Sequence, residues 1–194
     1  NKLSKVNYET QKKNIIDNII NIFNESDDAN SENNKKLAKM IFELASNNRF
    51  LSDVYSDLYV ELVGNIELFG DILDTYIVDL KQSLNNIKYI DPDEDYNGFC
   101  EYNRINEERK SHSVFLINLM KHNMISKQSV IELILNLQEI TLKYIDEDNK
   151  VHEVDEITEN VFLLITESKT TLENDDIWKN VIIQNSNILL LIQM

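Results

Sequence analysis

The sequence predicts an all-α fold built as an α-solenoid of stacked antiparallel helical hairpins, with about eight helices or more. Two observations carry this. Apolar residues recur at intervals of three and four along almost every segment, the period of a helix with one buried face. The chain of 194 residues holds only one Pro and three Gly. Sheets need turns that draw on Gly and Pro, whereas helices can be joined by Asn- and Asp-containing loops.

Taken in order, Ser4 is placed to cap a first helix through Tyr8 to Phe23, with Ile15, Ile16, Ile19, Ile20 and Phe23 on one face. Asn24 to Asn34 is polar without periodicity and reads as a loop. Leu37, Met40, Ile41 and Leu44 mark a second helix from about Asn34 to Ala45, and Ser46-Asn47-Asn48 breaks it. Leu51, Val54, Tyr55, Leu58 and Leu62 mark a third, which Gly64 is expected to end. A fourth runs through Leu68, Leu73, Tyr76, Leu80 and Leu84.

Asp91 to Glu101 holds the only Pro and one of the three Gly, and reads as the main break. Behind it, Glu107 to Tyr144 forms a helical hairpin. One arm carries Phe115, Leu116, Leu119 and Met120. A tight turn follows at His122 to Ile125, and Ser126 caps a second arm with Val130, Ile131, Ile134, Leu135 and Leu137. Asp146 to Glu153 is a second acidic loop. Val154, Ile157, Val161, Leu164 and Ile165 mark another helix ending near Lys169. Asp175 or Asp176 caps the last, with Ile177, Trp178, Val181, Ile182, Ile188 and Leu189 expected inward. Residues 1–194 thus read as a single helical domain, each hairpin the size of one solenoid unit. The start at Asn1, with no initiator Met and no signal-peptide pattern, reads as a domain excised from a longer protein.

Chemistry is sparse. The net charge of −15 repels nucleic acid on average. The single Cys100 excludes an internal disulfide framework and fits a reducing compartment. The longest apolar run, Ile188 to Ile192, is far too short to span a bilayer. The acidic loop from Asp91 has Tyr96 where a calcium-binding loop needs its sharp-turn Gly, so solvated carboxylates are the better reading. His112, His122 and His152 are scattered over three segments, away from zinc-ligand spacing. No Gly-rich phosphate loop or nucleophile elbow is present. No cofactor, metal site or catalytic group is expected. Tyr55 reads as core and Tyr59 as ambiguous. Trp178 is either a core residue or an interface anchor. Lysines and arginines gather in three places, and two such clusters on one edge would make a phosphate-binding strip.

Several segments together resemble a known family. Asn1-Lys2-Leu3-Ser4, with Tyr8 four places after Ser4, is similar to the opening of the middle domain of eukaryotic translation initiation factor 4G. Ile41-Phe42-Glu43 with Ala45, then Phe50, then Val54-Tyr55, resembles that family's second and third helices. Arg109-Lys110, Phe115-Leu116, Leu119 and Met124-Ile125 resemble its central hairpin. His112, Ile117 and Asn118 stand where the family has Asn, Gly and Glu, and the similarity weakens after Ile145.

The resemblance implies a HEAT-type stack in the cytoplasm: a scaffold without catalysis that binds a DEAD-box RNA helicase and stimulates its cycle during mRNA recruitment. Leu3 and Tyr8 are the implied helicase contacts, with stapling of the first helix as the alternative role for both. Lys12, Lys13, Arg109 and Lys110 are the implied RNA contacts. No Tyr is followed at the spacing a cap-binding-protein ligand requires, and no membrane partner is implied. Two alternatives stay open: a related helicase-binding scaffold in mRNA decay, splicing or deadenylation, and an acidic helical protein-interaction module with no helicase partner.

Overall fold

The computed structural model describes residues 6–25 and 31–192. Among them it holds eight α-helices and no strand. The chain divides into two compact units, Asn1–Ile77 and Val78–Met194.

The first unit contains α1 (Tyr8–Asn24), α2 (Glu32–Ser46), α3 (Ser52–Asn65) and the first part of α4 (Glu67–Asn85). Both α1 and α2 pack on α3. From α1, Ile15 and Ile16 lie against Tyr8, Val54 and Leu58. Ser31 starts α2, its Oγ accepting from the Asn34 amide at 3.3 Å. The helix therefore begins inside the stretch the sequence marks as loop. Buried Ala38 and Ala45 let the backbone of α2 come close, and Phe42 meets Tyr59 and Tyr76 edge-on at centroid distances of 5.5 and 5.1 Å. Between α2 and α3, Asn48 Oδ1 accepts from the Leu51 amide at 3.1 Å and holds a 3-10 turn, Arg49–Leu51.

Two expectations change here. Gly64 does not end α3 in a left-handed cap. It lies inside the helix, no described Gly has positive φ, and extended Ile66 follows the last turn. Tyr59, ambiguous in the sequence, is fully buried, its hydroxyl donating to the Phe69 carbonyl at 2.9 Å, while Tyr55 is half-buried against the Tyr8, Val54 and Leu58 cluster.

The second unit contains the end of α4, then α5 (Tyr96–Lys121), α6 (Lys127–Tyr144), α7 (Val151–Leu172) and α8 (Trp178–Ile192). Asp95 caps α5 by accepting from the Gly98 amide at 2.9 Å, so the break after Asp91 is shorter than its composition suggests. Ser113 to Met120 of α5 is buried on every side, as befits a helix enclosed by neighbours. It ends in a Schellman arrangement: Asn123 takes φ 61°, its amide donates to Met120 O at 2.9 Å, and the Met124 amide donates to Leu119 O at 3.0 Å. Ser126 then caps α6 as the sequence indicates, accepting from the Ser129 amide at 3.0 Å.

The short turn makes α5 and α6 an antiparallel pair. Helix α7 packs on both, and α8 packs on α6, where Gln138 Nε2 donates to the Val181 carbonyl at 3.0 Å. Trp178 is core, with Val181 and Ile188. The inner face of α8 is narrower than its apolar content suggests, because Ile177, Ile182 and Leu189 are exposed.

Candidate functional site

Of the residues that the resemblance offers as helicase contacts, Leu3 lies outside the described residues. Tyr8 is only 6% exposed and sits against Val54 and Leu58. Its hydroxyl donates to Asp57 Oδ2 at 2.5 Å. Burial first, then this carboxylate, raises the Tyr8 phenol above its ordinary range. The ring therefore staples α1 to α3 and offers a partner little surface.

Lys12 stands beside it. Its ammonium reaches Asp57 at 2.7 Å and Glu61 at 3.1 Å, and lies 5.8 Å from the centre of the Tyr8 ring. Burial pulls the Lys12 pKa down, but the hydrogen bonds to the two carboxylates outweigh it and hold the group above its ordinary value.

Arg109 and Lys110 are both buried. Arg109 Nε donates to the carbonyl and the hydroxyl of Ser83, each at 3.0 Å, and Nη1 donates to Asn106 Oδ1 at 2.5 Å. Burial lowers its pKa. The Lys110 side chain is 10% exposed and is surrounded by Glu159, Glu107 and Glu156 at 2.5, 3.2 and 3.4 Å. Of the four cations in the implied RNA strip, only Lys13 is exposed. A phosphate contact needs an accessible cation, whereas Lys12, Arg109 and Lys110 fasten helices together.

Among the described residues no group of three or more His, Cys, Asp and Glu side chains converges as a metal site would. Cys100 and His112 lie on the same helix, α5, about 18 Å apart along its axis, too far to act as nucleophile and base. No described helix is long and apolar enough to cross a membrane.

The concave feature of the first unit is apolar. Helices α1 and α2 rest on α3 and leave a groove of about 200 Å³ between them. Ile15 and Ile19 of α1 form one wall, and Ile41, Leu44 and Ala45 of α2 the other. Tyr55, Leu58, Tyr59 and Leu62 of α3 form the floor. No charged side chain among the described residues lines it. Sequence reading places most of these residues on apolar faces and so does not find the groove, since a helical stripe looks the same whether two neighbours close over it or stand apart.

Two further surfaces are likewise unmarked by periodicity. Phe50 projects from the 3-10 turn with 92% of its surface exposed, and the apolar residues Ile182, Ile183, Leu189 and Leu190 of α8 are exposed. The signal for Phe50 is an aromatic in a polar turn; that for α8 is a helix apolar on more faces than one neighbour can cover.

No family model, no curated protein and no solved structure matches the chain.

Proposed function

We propose that this chain is a non-catalytic helical scaffold of the translation initiation factor 4G middle-domain type, which binds a DEAD-box RNA helicase and favours its active arrangement. One observation carries the reading: the segments with the family resemblance fall in order on successive structural elements. Tyr8 opens α1; Ile41-Phe42-Glu43 and Ala45 close α2; Phe50 occupies the following turn; Val54-Tyr55 open α3; and Arg109 to Ile125 span the buried half of α5 and its turn. Helix packing within each unit is compatible with that reading: α1 and α2 contact α3, α5 and α6 contact α7, and α6 contacts α8.

A scaffold acts on its helicase by binding one conformation better than another and so shifting their populations. Binding proceeds through protein surface rather than RNA, since three of the four candidate cations serve helix packing. The test is a pull-down and a steady-state ATPase assay with an initiation-type DEAD-box helicase. The chain is expected to bind it and raise its ATPase rate, and Leu3→Asp is expected to weaken both with the circular dichroism melt unchanged. If the wild-type chain neither binds nor alters the rate, the reading fails. The same result would leave an acidic protein-interaction module without a helicase partner.

A further inference from the structure

We infer that the outward face of α8 is a docking surface for a second copy of this chain, the two α8 helices meeting antiparallel about a two-fold axis at Ser186.

Helix α8 buries Trp178, Val181 and Ile188 and packs on α6. At about 100° per residue, its other side carries two apolar pairs, Ile182-Ile183 and Leu189-Leu190. Ile183 and Leu190 are 60% and 62% exposed, Ile182 and Leu189 38% and 41%. Ser186 stands midway between the pairs, both along the helix and around it. Its hydroxyl donates to the Ile182 carbonyl at 3.0 Å. A small side chain already satisfied within its own helix can be enclosed without losing a hydrogen bond, and it lets a second helix come close.

The pattern identifies the occupant, because this face is complementary to itself. A two-fold contact pairs residue i with j and j with i. Turned about Ser186, Ile182 meets Leu190 of the second copy, Ile183 meets Leu189, and Ser186 meets Ser186. All four apolar residues are then covered by apolar residues, and nothing bulky collides at the centre.

Charge points the same way. The chain has 34 Asp and Glu residues, yet none lies in α8, whose one charged residue is Lys179. Two bodies of net charge −15 repel each other, so they meet most readily where carboxylates are sparse. A strongly basic or acidic partner finds little on this face to recognise, and an anionic lipid surface calls for several lysines and arginines beside the apolar stripe. Antiparallel helices also oppose their dipoles, and they keep Asp175 and Asp176, which precede each α8, apart.

The area suffices for a reversible pair. The four residues expose the equivalent of about two whole aliphatic side chains, roughly 400 Å² per copy. Counted on both copies, with Lys179 and Asn187 at the rim, the contact reaches the about 1,000 Å² that a specific interface requires. Dissociation on the order of 10–100 μM is expected for so small an interface.

The test is sedimentation equilibrium of the full chain between about 5 and 200 μM, where the mass should climb from 22.7 kDa toward twice that value. Ile183→Glu should abolish the rise, and Leu189→Lys on the same chain should restore part of it by setting each glutamate against a lysine of the second copy. Both positions are exposed, so the circular dichroism melt should stay unchanged. A second measurement does not depend on these variants. Cys100 is the only cysteine, so Cys100→Ser with Ser186→Cys leaves a single thiol on the axis, and mild oxidation should link two copies through it. Cys100→Ser with Lys179→Cys should not link, because antiparallel helices hold those positions about 20 Å apart. A monomer at every concentration, a dimer indifferent to Ile183→Glu, or linkage at position 179 in place of 186 would each overturn the inference. No helicase enters these measurements, so their outcome is independent of the ATPase assay.

Discussion

The hydroxyl of Tyr8 donates to a carboxylate, Asp57, that Lys12 also approaches. Tyr8→Phe keeps the ring against Val54 and Leu58 and removes only that hydrogen bond. It is expected to cost about 1–2 kcal/mol in urea denaturation and, because the ring is buried, to leave helicase binding unchanged. A second residue sets a pH dependence. His112 is largely buried in α5, and burial pushes its pKa down from the ordinary 6.5 to about 4. The folded state thus resists a proton that the unfolded chain accepts below pH 6.5, so stability falls with pH across the window from 6.5 to 4. Glu156, raised chiefly by burial, works in the opposite sense, contributing stability at low pH that is lost as pH rises through its folded pKa. Comparison with His112→Asn isolates the histidine. Between pH 7.5 and pH 5 the wild type should lose about 2 kcal/mol more than the variant by urea midpoint. At this scale the sequence shows residue types but not which of them are enclosed. Nothing in the order of residues distinguishes Lys110, ringed by carboxylates, from exposed Lys13.

Among the helices, two glycines have opposite roles. Gly64 lies inside α3 with nothing within 4 Å of where a Cβ would stand, so Gly64→Ala should stabilise the protein by about 0.5–1 kcal/mol through reduced chain entropy. At Gly98 an added Cβ would meet the Asp95 carboxyl, 2.8 Å from its Cγ, and Ile90 at 3.2 Å. Asp95 is the cap of α5, so Gly98→Ala should displace it and destabilise by about 1 kcal/mol despite the better helix former. Thermal melts of the pair should move in opposite directions. Helix positions were legible in the sequence because the 3.6-residue period is local, and the Ser126 cap because it precedes an apolar run. The Ser31 and Asp95 caps were hidden in polar stretches, where loop and first helical turn have the same composition.

For the whole molecule, the net charge of −15 sets the behaviour in solution. Mutual repulsion among carboxylates is screened by salt, so raising sodium chloride from low ionic strength to about 0.5 M should raise the melting temperature. The same charge, with Lys12, Arg109 and Lys110 held internally, should keep single-stranded RNA binding weaker than about 100 μM at physiological salt. Tight, steeply salt-dependent binding by filter assay would show a basic surface that the described residues do not present.

The sequence by itself determined the all-α class, the approximate place of eight helices and the hairpin turn at His122 to Ile125. These depend on periodicity, turn residues and composition, which are properties of neighbours along the chain. Tertiary structure decided which stripes are covered and which cations are neutralised. It buried Tyr59 more fully than Tyr55, turned Tyr8, Arg109 and Lys110 inward, and left a groove between α1 and α2. Those outcomes turn on distances between helices far apart in the chain, and a repeating apolar pattern records only that a face needs a neighbour, not whether one arrives.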